Sequence, residues 1–506
     1  MSNYVFPIVA TVGLLVLYKI YQWATSKSAK KSQKVQPGDT DSEANAAYMI
    51  SKLHPDSTHM DVLLVVATTP DSILHAQQAV DKADKLRQEK LQKLKEAPAT
   101  EEKPNDAFDL DDGGWDEGDD ADEETKAAAQ KEKEALEEKA KARAEVAKMK
   151  ASVSDILMEG IDDGVLGQKW VENAIEEQGF WPPPDMGVLK GSKFVNAQGK
   201  QVDPMEHPAI RRNLCMTMGR LNAQMLNVHP ELLEAGAKQL IDQTYFRSTM
   251  EYRQRVTILL DVALRVAVTT KSYRLAQTII EAVSMFKIGA MSASDEKTIQ
   301  WFEDAMRKQY AGEAGVPKLE VKNYKVFTPD EEEIATDDEC VVELEMERLH
   351  AENFTKQKVA VCQKQGIPPQ VALQTYREGW WMLVRAKRLD GDDAESSITL
   401  DANNPLTKLF GKDGMEKYKN EKGDNRLVSA WPMLVKNVAQ KTGKVQVQFQ
   451  APAVPGKYRF SVAIKSQEFL GADQEFSVEA EVLDKATVKR EKKTEANGDD
   501  EAKKDQ

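Results

Sequence analysis

Three stretches of alternating apolar and polar residues near the C-terminus constrain the fold of this chain most strongly. They run from Val445 to Phe449, from Tyr458 to Ile464 and from Phe476 to Val482. A period of two places the apolar side chains on one face of a β-strand. Residues typical of turns separate the stretches: Pro452, Pro455 and Gly456, then Gly471 and Asp473. Three half-buried strands in succession predict an antiparallel sheet that forms one half of a β-sandwich.

The strand pattern begins well before these three stretches. Leu319 and Val321 open it after Pro317, and it continues from Cys340 to Met346 and from Trp380 to Arg385. Trp380 and Trp381 are adjacent on a strand, so we expect one in the core and the other exposed or under a neighbouring helix. We predict a sandwich over residues 317–484, with a helical insertion at 348–375, a long and mobile polar connection at 390–424 and a charged tail at 485–506.

Helical periodicity dominates the region before the sandwich. Apolar residues recur at every third or fourth position after Pro208, and a second helix is expected to start at Pro230. Further helices are predicted around Val256 to Val266, Ala276 to Phe286 and Phe302 to Met306. Short connections between these elements favour a compact bundle over residues 154–316. The predicted fold class is therefore α+β, a helical bundle followed by a β-sandwich.

The N-terminus carries an apolar stretch over residues 4–23 that can serve as a membrane anchor. About 20 apolar residues cross a bilayer, and Lys19 can reach the interface with its long side chain. Four lysines that follow the stretch favour a cytoplasmic location for the rest of the chain and a lumenal N-terminus. The residues expected to contact lipid are Val5, Phe6, Leu14, Leu15, Leu17 and Trp23.

Between the anchor and the bundle the composition changes several times. Residues 24–45 form a polar tether, and residues 46–96 form a small segment whose independence the pattern leaves open. From Glu101 to Glu124 there are thirteen acidic residues and one lysine, a composition that cannot form a core. We interpret residues 101–124 as a disordered linker and residues 126–150 as a solvated, charged helix.

Composition and motifs argue against several classes of function. The net charge of −14 disfavours binding to the phosphate backbone of nucleic acids. Cys215, Cys340 and Cys362 have no paired spacing, and the six histidines are scattered, so we expect neither disulfides nor a metal site. The sequence contains no glycine-rich phosphate loop, nucleophile elbow or zinc-protease motif. We therefore expect a protein without a cofactor, a small-molecule substrate or an enzymatic activity.

Three segments carry a resemblance to a known family. The loop Ser466 to Asp473 and its flanking strands, the helix start His207 to Leu214 and the Trp-Trp strand Gly379 to Val384 occur in the order found in the Brl module. They resemble the Sec-sixty-three family, a subunit of the endoplasmic-reticulum protein translocon, over about residues 154–483. Gln467 and Phe469 depart from the Asp and Tyr of that family's loop.

The resemblance implies a role as well as a fold. It implies a fibronectin type III-like sandwich that docks on the Sec-sixty-one channel and assists post-translational protein import, with a Sec-sixty-two-like subunit as a second partner. The expected location is the endoplasmic-reticulum membrane, crossed once. An alternative is a membrane-anchored scaffold or adaptor on another organelle. Brl-like modules also occur in spliceosomal RNA helicases, but the ATPase motifs that precede them there are absent here.

A third alternative is an Hsp70 co-chaperone that acts through His54-Pro55-Asp56, the tripeptide of J-domains. The residues before it, Gly38 to Asp41, show no helical periodicity, whereas a J-domain has a basic helix directly before the tripeptide. We therefore interpret the tripeptide as a chance occurrence.

The predicted partner-binding surface is the loop between the last two strands. Glu468 and Asp473 are expected to face solvent, with Phe469 as an apolar anchor and Gly471 shaping the turn. Arg211 and Arg212 could bind an acidic partner or form the polar face of a helix. The partner-binding candidates are Glu468, Phe469, Gly471, Asp473, Arg211, Arg212 and Trp380.

Overall fold

The structure is a computed structural model, and it describes residues 40–96, 172, 175–176, 179–222, 235–310, 316–374, 376–391, 404, 406–410, 417–418 and 425–488. The predicted anchor, the acidic linker, the charged helix and most of the charged tail lie outside these residues. None of the helices in the described ranges has the length and apolar character needed to cross a membrane. The fold is α+β, as predicted.

Within the described residues, seven α-helices precede the strands of the larger sheets. They are α1 (Thr40–Lys52), α2 (His59–Ala67), α3 (Pro70–Glu96), α4 (Pro208–Leu221), α5 (Ala235–Thr269), α6 (Tyr273–Ile288) and α7 (Glu296–Gln309). The small hairpin of β1 (Phe194–Val195) and β2 (Gln201–Val202) lies between α3 and α4.

Helix α2 is the centre of the helical core. Every residue from Val62 to Ala67 is buried, because α2 contacts α5, α6 and α4 as well as α1 and α3. Thr58 starts the helix with a capping box that it shares with Asp61. Residues 46–96 therefore do not form a separate unit but supply the middle of the helical core.

Two predictions about the helical region are wrong. Residues 40–45, assigned to the tether, belong to α1. The helices expected to start at Pro230 and to run through Val256 are one helix of 35 residues, α5. The stretch from Ala235 to Thr269 contains no proline, and Gly236 lies too close to its start to end it, so nothing in the sequence breaks the helix.

In the part of the chain that the structure describes, two large sheets follow the bundle. The strands are β3 (Leu319–Phe327), β4 (Ile334–Ala335), β5 (Glu339–Arg348), β6 (Glu378–Arg388), β7 (Leu427–Val435), β8 (Thr442–Gln450), β9 (Gly456–Ser466) and β10 (Gln474–Leu483). One sheet has the order β4-β10-β9-β6-β7 and the other β3-β5-β8. The predicted insertion forms the helices α8 (Ala351–Lys364) and α9 (Pro369–Gln374) between β5 and β6.

The three stretches that opened the sequence argument are strands, but they do not form one sheet. Strand β8 pairs with β5, whereas β9 pairs with β6 and β10. The two prolines between β8 and β9 belong to a connection that crosses from one sheet to the other. Strand β7 was not predicted, because it follows a polar connection and contains Pro432. The edge position of β7 tolerates that proline.

The five-stranded sheet separates two cores. One face packs against the three-stranded sheet through residues such as Trp380, Val384 and Phe460, and the other face contributes Leu383 and Ala463 to the helical core. The molecule thus has three layers: helices, a five-stranded sheet and a three-stranded sheet. The prediction for the tryptophan pair is confirmed, since Trp380 is 2% exposed in the sandwich core and Trp381 packs against the helical core.

The polar connection between β6 and β7 is held against the helices at its described residues. The rings of Phe410 and Tyr418 are buried in the helical core, 6.4 Å apart. Lys417 Nζ donates to the carbonyls of Ile50 (3.1 Å) and Ser51 (2.6 Å) near the end of α1. A cation at a helix C-terminus satisfies carbonyls that lack a partner within the helix. The expectation of a mobile connection is therefore wrong at these residues.

Candidate functional site: the two ends of the sandwich

The loop between β9 and β10, the predicted docking loop, is closed by its own side chains. Ser466 Oγ accepts hydrogen bonds from the backbone N–H groups of Glu468 (3.2 Å) and Phe469 (3.0 Å). Asp473 Oδ1 accepts from the Ser466 N–H at 2.9 Å. Gly471 has a φ of 73°, and a Cβ there would lie 2.8 Å from Ile299 on α7. The loop is thus a tight turn seated against a helix.

Glu468 connects three parts of the fold instead of facing solvent as predicted. One carboxylate oxygen accepts from Lys287 Nζ of α6 at 2.8 Å, and the other accepts from the Gly379 N–H of β6 at 2.7 Å. Hydrogen bonds between charged partners are stronger than neutral ones, and this pair is only partly exposed. The expectation that Glu468 is free to meet a partner is wrong, because the fold already uses both oxygens.

Phe469 is likewise used within the chain. Its ring lies 5.6 Å from that of His350, 6.0 Å from Phe354 and 6.0 Å from Trp380, centroid to centroid. Leu470 beside it is buried with Ala290 and Phe302. Aromatic rings at these separations stabilise one another beyond the area that they bury. The predicted apolar anchor therefore joins the sandwich to α7 and α8.

Asp473 lies at the edge of an ion-pair chain that crosses the layers. Its Oδ2 and Glu281 Oε1 of α6 each lie 3.0 Å from Lys465 Nζ, and Glu281 Oε2 is 2.7 Å from His59 Nε2 of α2. Burial alone raises the pKa of Glu281, but the His59 hydrogen bond and the Lys465 charge outweigh it and bring the pKa down to about 2. Helix α2, helix α6 and strand β9 are thereby linked.

A buried polar cluster that the sequence did not reveal lies under this loop. Glu378 is the centre of the cluster: its carboxylate accepts from Arg348, from Tyr376 Oη at 2.5 Å and from Trp380 Nε1 at 2.7 Å. His350 Nε2 lies 3.3 Å from the same carboxylate. Arg348 also donates to the carbonyls of Val438 and Gln440. We define this set as the Glu378 cluster: Arg348, His350, Tyr376, Glu378 and Trp380.

The contacts within the Glu378 cluster favour a structural role for these residues over a role in proton transfer. Burial by itself raises the pKa of Glu378, but hydrogen bonds from His350 and Arg348 offset this and bring the pKa down to about 2. Burial and the neighbouring carboxylate raise the pKa of Tyr376. A carboxylate whose lone pairs are all engaged has no capacity left to accept a proton from a substrate. The sign of this cluster in the sequence was a pair of charged residues at the ends of apolar strands, Arg348 at the end of β5 and Glu378 at the start of β6.

Arg211 and Arg212 lie on α4 in the helical bundle and not beside the β9–β10 loop. Arg211 forms a two-pronged ion pair with Glu172, at 2.9 and 2.7 Å, and is partly exposed. Arg212 is buried. The structure therefore does not bring these arginines to the predicted loop. Arg211 fits the alternative of a polar helix face, whereas the buried Arg212 does not.

The J-domain tripeptide lies in the turn between α1 and α2. The argument that no helix precedes the tripeptide is wrong, because α1 ends at Lys52, just before His54. The residues themselves are engaged in the fold: Pro55 is buried and Asp56 forms an ion pair with Arg274 of α6. The helix before them contains Asp41 and Glu43 but a single lysine, and the helix after them is buried from Val62 to Ala67. This environment favours a structural role.

The opposite end of the sandwich has a different character. The connection from β3 to β5 presents Asp330, Glu331, Glu332 and Glu333 in succession, all exposed, followed after β4 by the exposed Asp337. Asp330 and Asp337 have φ values of 62° and 60°, so the chain turns sharply at both. Strand β4 pairs with the end of β10, which places the connection at the end of the sandwich away from the β9–β10 loop. We call residues 330–337 the acidic end.

Among the described residues, no group of three or more histidine, cysteine or carboxylate side chains could hold a metal ion. The three cysteines are free thiols, with Cys215 and Cys340 buried and Cys362 half-buried.

No protein-family profile matches the chain, and no curated protein matches it.

Proposed function

We propose that this chain is a membrane-anchored, non-enzymatic accessory subunit of the endoplasmic-reticulum protein translocation complex, which docks on cytosolic loops of the Sec-sixty-one channel. The observation that carries the proposal is the strand order of the sandwich, β3-β5-β8 facing β10-β9-β6-β7, directly after a helical bundle. That order is typical of a fibronectin type III-like domain, the fold that the resemblance implies. The proposed partners are the channel and a Sec-sixty-two-like subunit.

The charge distribution points to the acidic end as the docking surface. The resemblance implies basic channel loops, and residues 330–337 present five exposed carboxylates on a connection between strands. Side chains in a loop at the end of a rigid sandwich can be replaced without disturbing the core. Opposite charges across an interface increase the association rate and select the partner, and added salt weakens both effects. The β9–β10 loop is unsuited to this task because Glu468 and Phe469 are already engaged.

The test is co-purification of the channel with the tagged full chain from detergent-solubilised endoplasmic-reticulum membranes. We expect Glu332→Lys with Glu333→Lys to lower the yield of channel at low ionic strength. Glu206→Lys with Glu296→Lys is the matched control, because it changes the net charge equally at two exposed sites on the helical side. Equal channel yields from wild type and the acidic-end variant would contradict the docking surface.

A second measurement tests the anchor and the membrane. Deleting residues 1–23 should release the chain into the soluble fraction, because no other segment of the sequence approaches spanning length. The full chain should co-localise by fluorescence with an endoplasmic-reticulum marker. Association that survives both the deletion and carbonate washing would contradict the single span, and localisation to another organelle would favour the scaffold or adaptor instead.

A further inference from the structure

The chain turns immediately after strand β10. Thr487 donates to the Asp484 carbonyl from its N–H at 2.8 Å and from its Oγ1 at 2.7 Å, and the Ala486 N–H donates to Asp484 Oδ1 at 2.9 Å. Val488, the next residue, is half-buried. Burial of apolar surface holds a residue against the protein. The chain is therefore still in contact with the sandwich at residue 488.

This turn is attached to the acidic end. The Thr336 N–H donates to the Leu483 carbonyl at 2.9 Å, and the Lys485 N–H donates to Thr336 Oγ1 at 3.2 Å. Lys485 Nζ lies 3.8 Å from Asp338 Oδ1. The chain beyond Val488 thus begins beside the acidic end, and each further residue adds at most about 3.5 Å of reach.

The carboxylates of the acidic end lack cations within the described part of the chain. Glu332, Glu333 and Asp337 are exposed, and none of these three has an ion pair or a side-chain hydrogen bond with another described residue. Clustered like charges repel one another and disfavour the compact state. A flexible segment that brings cations to this connection relieves the repulsion.

The segment that continues from the turn supplies such cations. Lys489, Arg490, Lys492 and Lys493 surround a single acidic residue, Glu491, although the chain as a whole has a net charge of −14. A short tether keeps a segment at a local concentration in the millimolar range, so that even weak attraction is populated. Both the charge of the segment and its point of attachment therefore direct it to the acidic end.

We propose that residues 489–493 bind the acidic end of the same chain, so that any other basic segment has to displace them. Exposed ion pairs are weak singly, which makes the contact reversible. The inference goes beyond the proposed role at the channel and does not depend on it, because it concerns a contact within one chain.

The first test measures binding of a fluorescein-labelled peptide, Lys-Arg-Glu-Lys-Lys, to the full chain in detergent at low ionic strength by fluorescence anisotropy. Lys489→Ser, Arg490→Ser, Lys492→Ser and Lys493→Ser together remove the internal competitor, so we expect the affinity for the peptide to rise about tenfold. The gain should disappear in about 1 M salt, where the screening length is about 3 Å. An unchanged affinity at low ionic strength would overturn the proposal.

Two further variants separate a specific contact from the effect of net charge. The matched control removes the same number of positive charges from another basic segment of the sequence: Lys27→Ser, Lys30→Ser, Lys31→Ser and Lys34→Ser. It should bind the peptide as the wild type does, and a gain equal to that of the first variant would overturn the assignment. Glu332→Lys with Glu333→Lys should weaken peptide binding and abolish the difference that the first variant makes.

A second test identifies the contact directly. A carbodiimide joins a lysine amine to a carboxylate in contact with it, and mass spectrometry of the digested chain identifies the joined residues. We expect links from residues 489–493 to the acidic end. In an equal mixture of isotope-labelled and unlabelled chain, these links should join peptides of the same label. Links between the two labels would show that the segment binds a second copy, and links to other carboxylates only, or none, would overturn the acidic end as its site.

Discussion

Carboxylate side chains have different surroundings at the two ends of the sandwich. At the junction with the helices, the carboxylates of Glu378, Glu468 and Glu281 are each held by two or more donors from different elements. At the acidic end, carboxylates follow one another on an exposed connection. Paired and buried charges position elements, whereas clustered exposed charges steer partners. The loop with the more distinctive sequence is therefore the structural one, and the plainer acidic connection is the better candidate for binding.

The largest effect is expected from breaking the Glu378 cluster. Arg348→Met leaves the Glu378 carboxylate buried without its main cation, and such a change typically costs about 3–5 kcal/mol of unfolding free energy. The measurement is urea denaturation followed by tryptophan fluorescence.

The matched control is Arg459→Met, which removes an exposed ion pair with Glu479 and should cost less than about 1 kcal/mol. Adding Glu378→Gln to Arg348→Met should recover part of the loss, because it removes the uncompensated charge. If Arg348→Met and Arg459→Met lower the unfolding free energy equally, the distinction between buried and exposed charges is contradicted.

A smaller loss is expected at the β9–β10 loop. Glu468→Lys removes the acceptor for Gly379 N–H and places a second cation beside Lys287, so unfolding should become easier by about 1–3 kcal/mol. Glu468→Gln, which keeps an acceptor oxygen, should cost less. Melting curves of the two variants provide the comparison, and a Glu468→Lys protein as stable as wild type would show that the loop is free after all.

The junction should also be acid-sensitive, together with Glu343 and Glu347 of β5, whose pKa values hydrogen bonds from lysines likewise lower to about 2. The pKa values of Glu281 and Glu378 are depressed from 4.5 to about 2 in the folded chain, so their stabilisation is complete above the unfolded value and is lost as pH falls toward 2. Asp473 opposes this trend, since burial raises its pKa.

We expect the melting temperature to fall between about pH 5 and pH 2, where these two carboxylates take up protons on unfolding. Glu281→Gln should be less stable at neutral pH and should lose less stability on acidification. A wild-type melting temperature that rises over that range would contradict this assignment of the charges.

The smallest effect on stability is expected at the acidic end. Glu332→Lys with Glu333→Lys should change the unfolding free energy by no more than about 0.5 kcal/mol, the usual range for exposed positions. A loss comparable to that of Glu468→Lys would show that the acidic end, too, is structural.

The sequence predicted the strands of the sandwich better than their partners. Periodicity identifies Val445 to Phe449 as a strand, but the choice between β5 and β9 as its neighbour depends on how the connection crosses the sheets. The central position of α2 was hidden for a similar reason, because the short apolar run Val62 to Ala67 gives no sign of the helices that surround it. The Glu378 cluster combines residues from three separate segments, and only the fold brings them together.

Hydrogen exchange with mass spectrometry, on the full chain alone and bound to the channel complex, tests the contrast between the two ends most directly. In the free chain, we predict slow exchange for the backbone amides of residues 466–473 and fast exchange for residues 330–333, since hydrogen-bonded and buried amides are protected. On binding, exchange at the acidic end should slow while the β9–β10 loop stays unchanged. Slowing confined to residues 466–473, with no change at 330–333, would contradict the account.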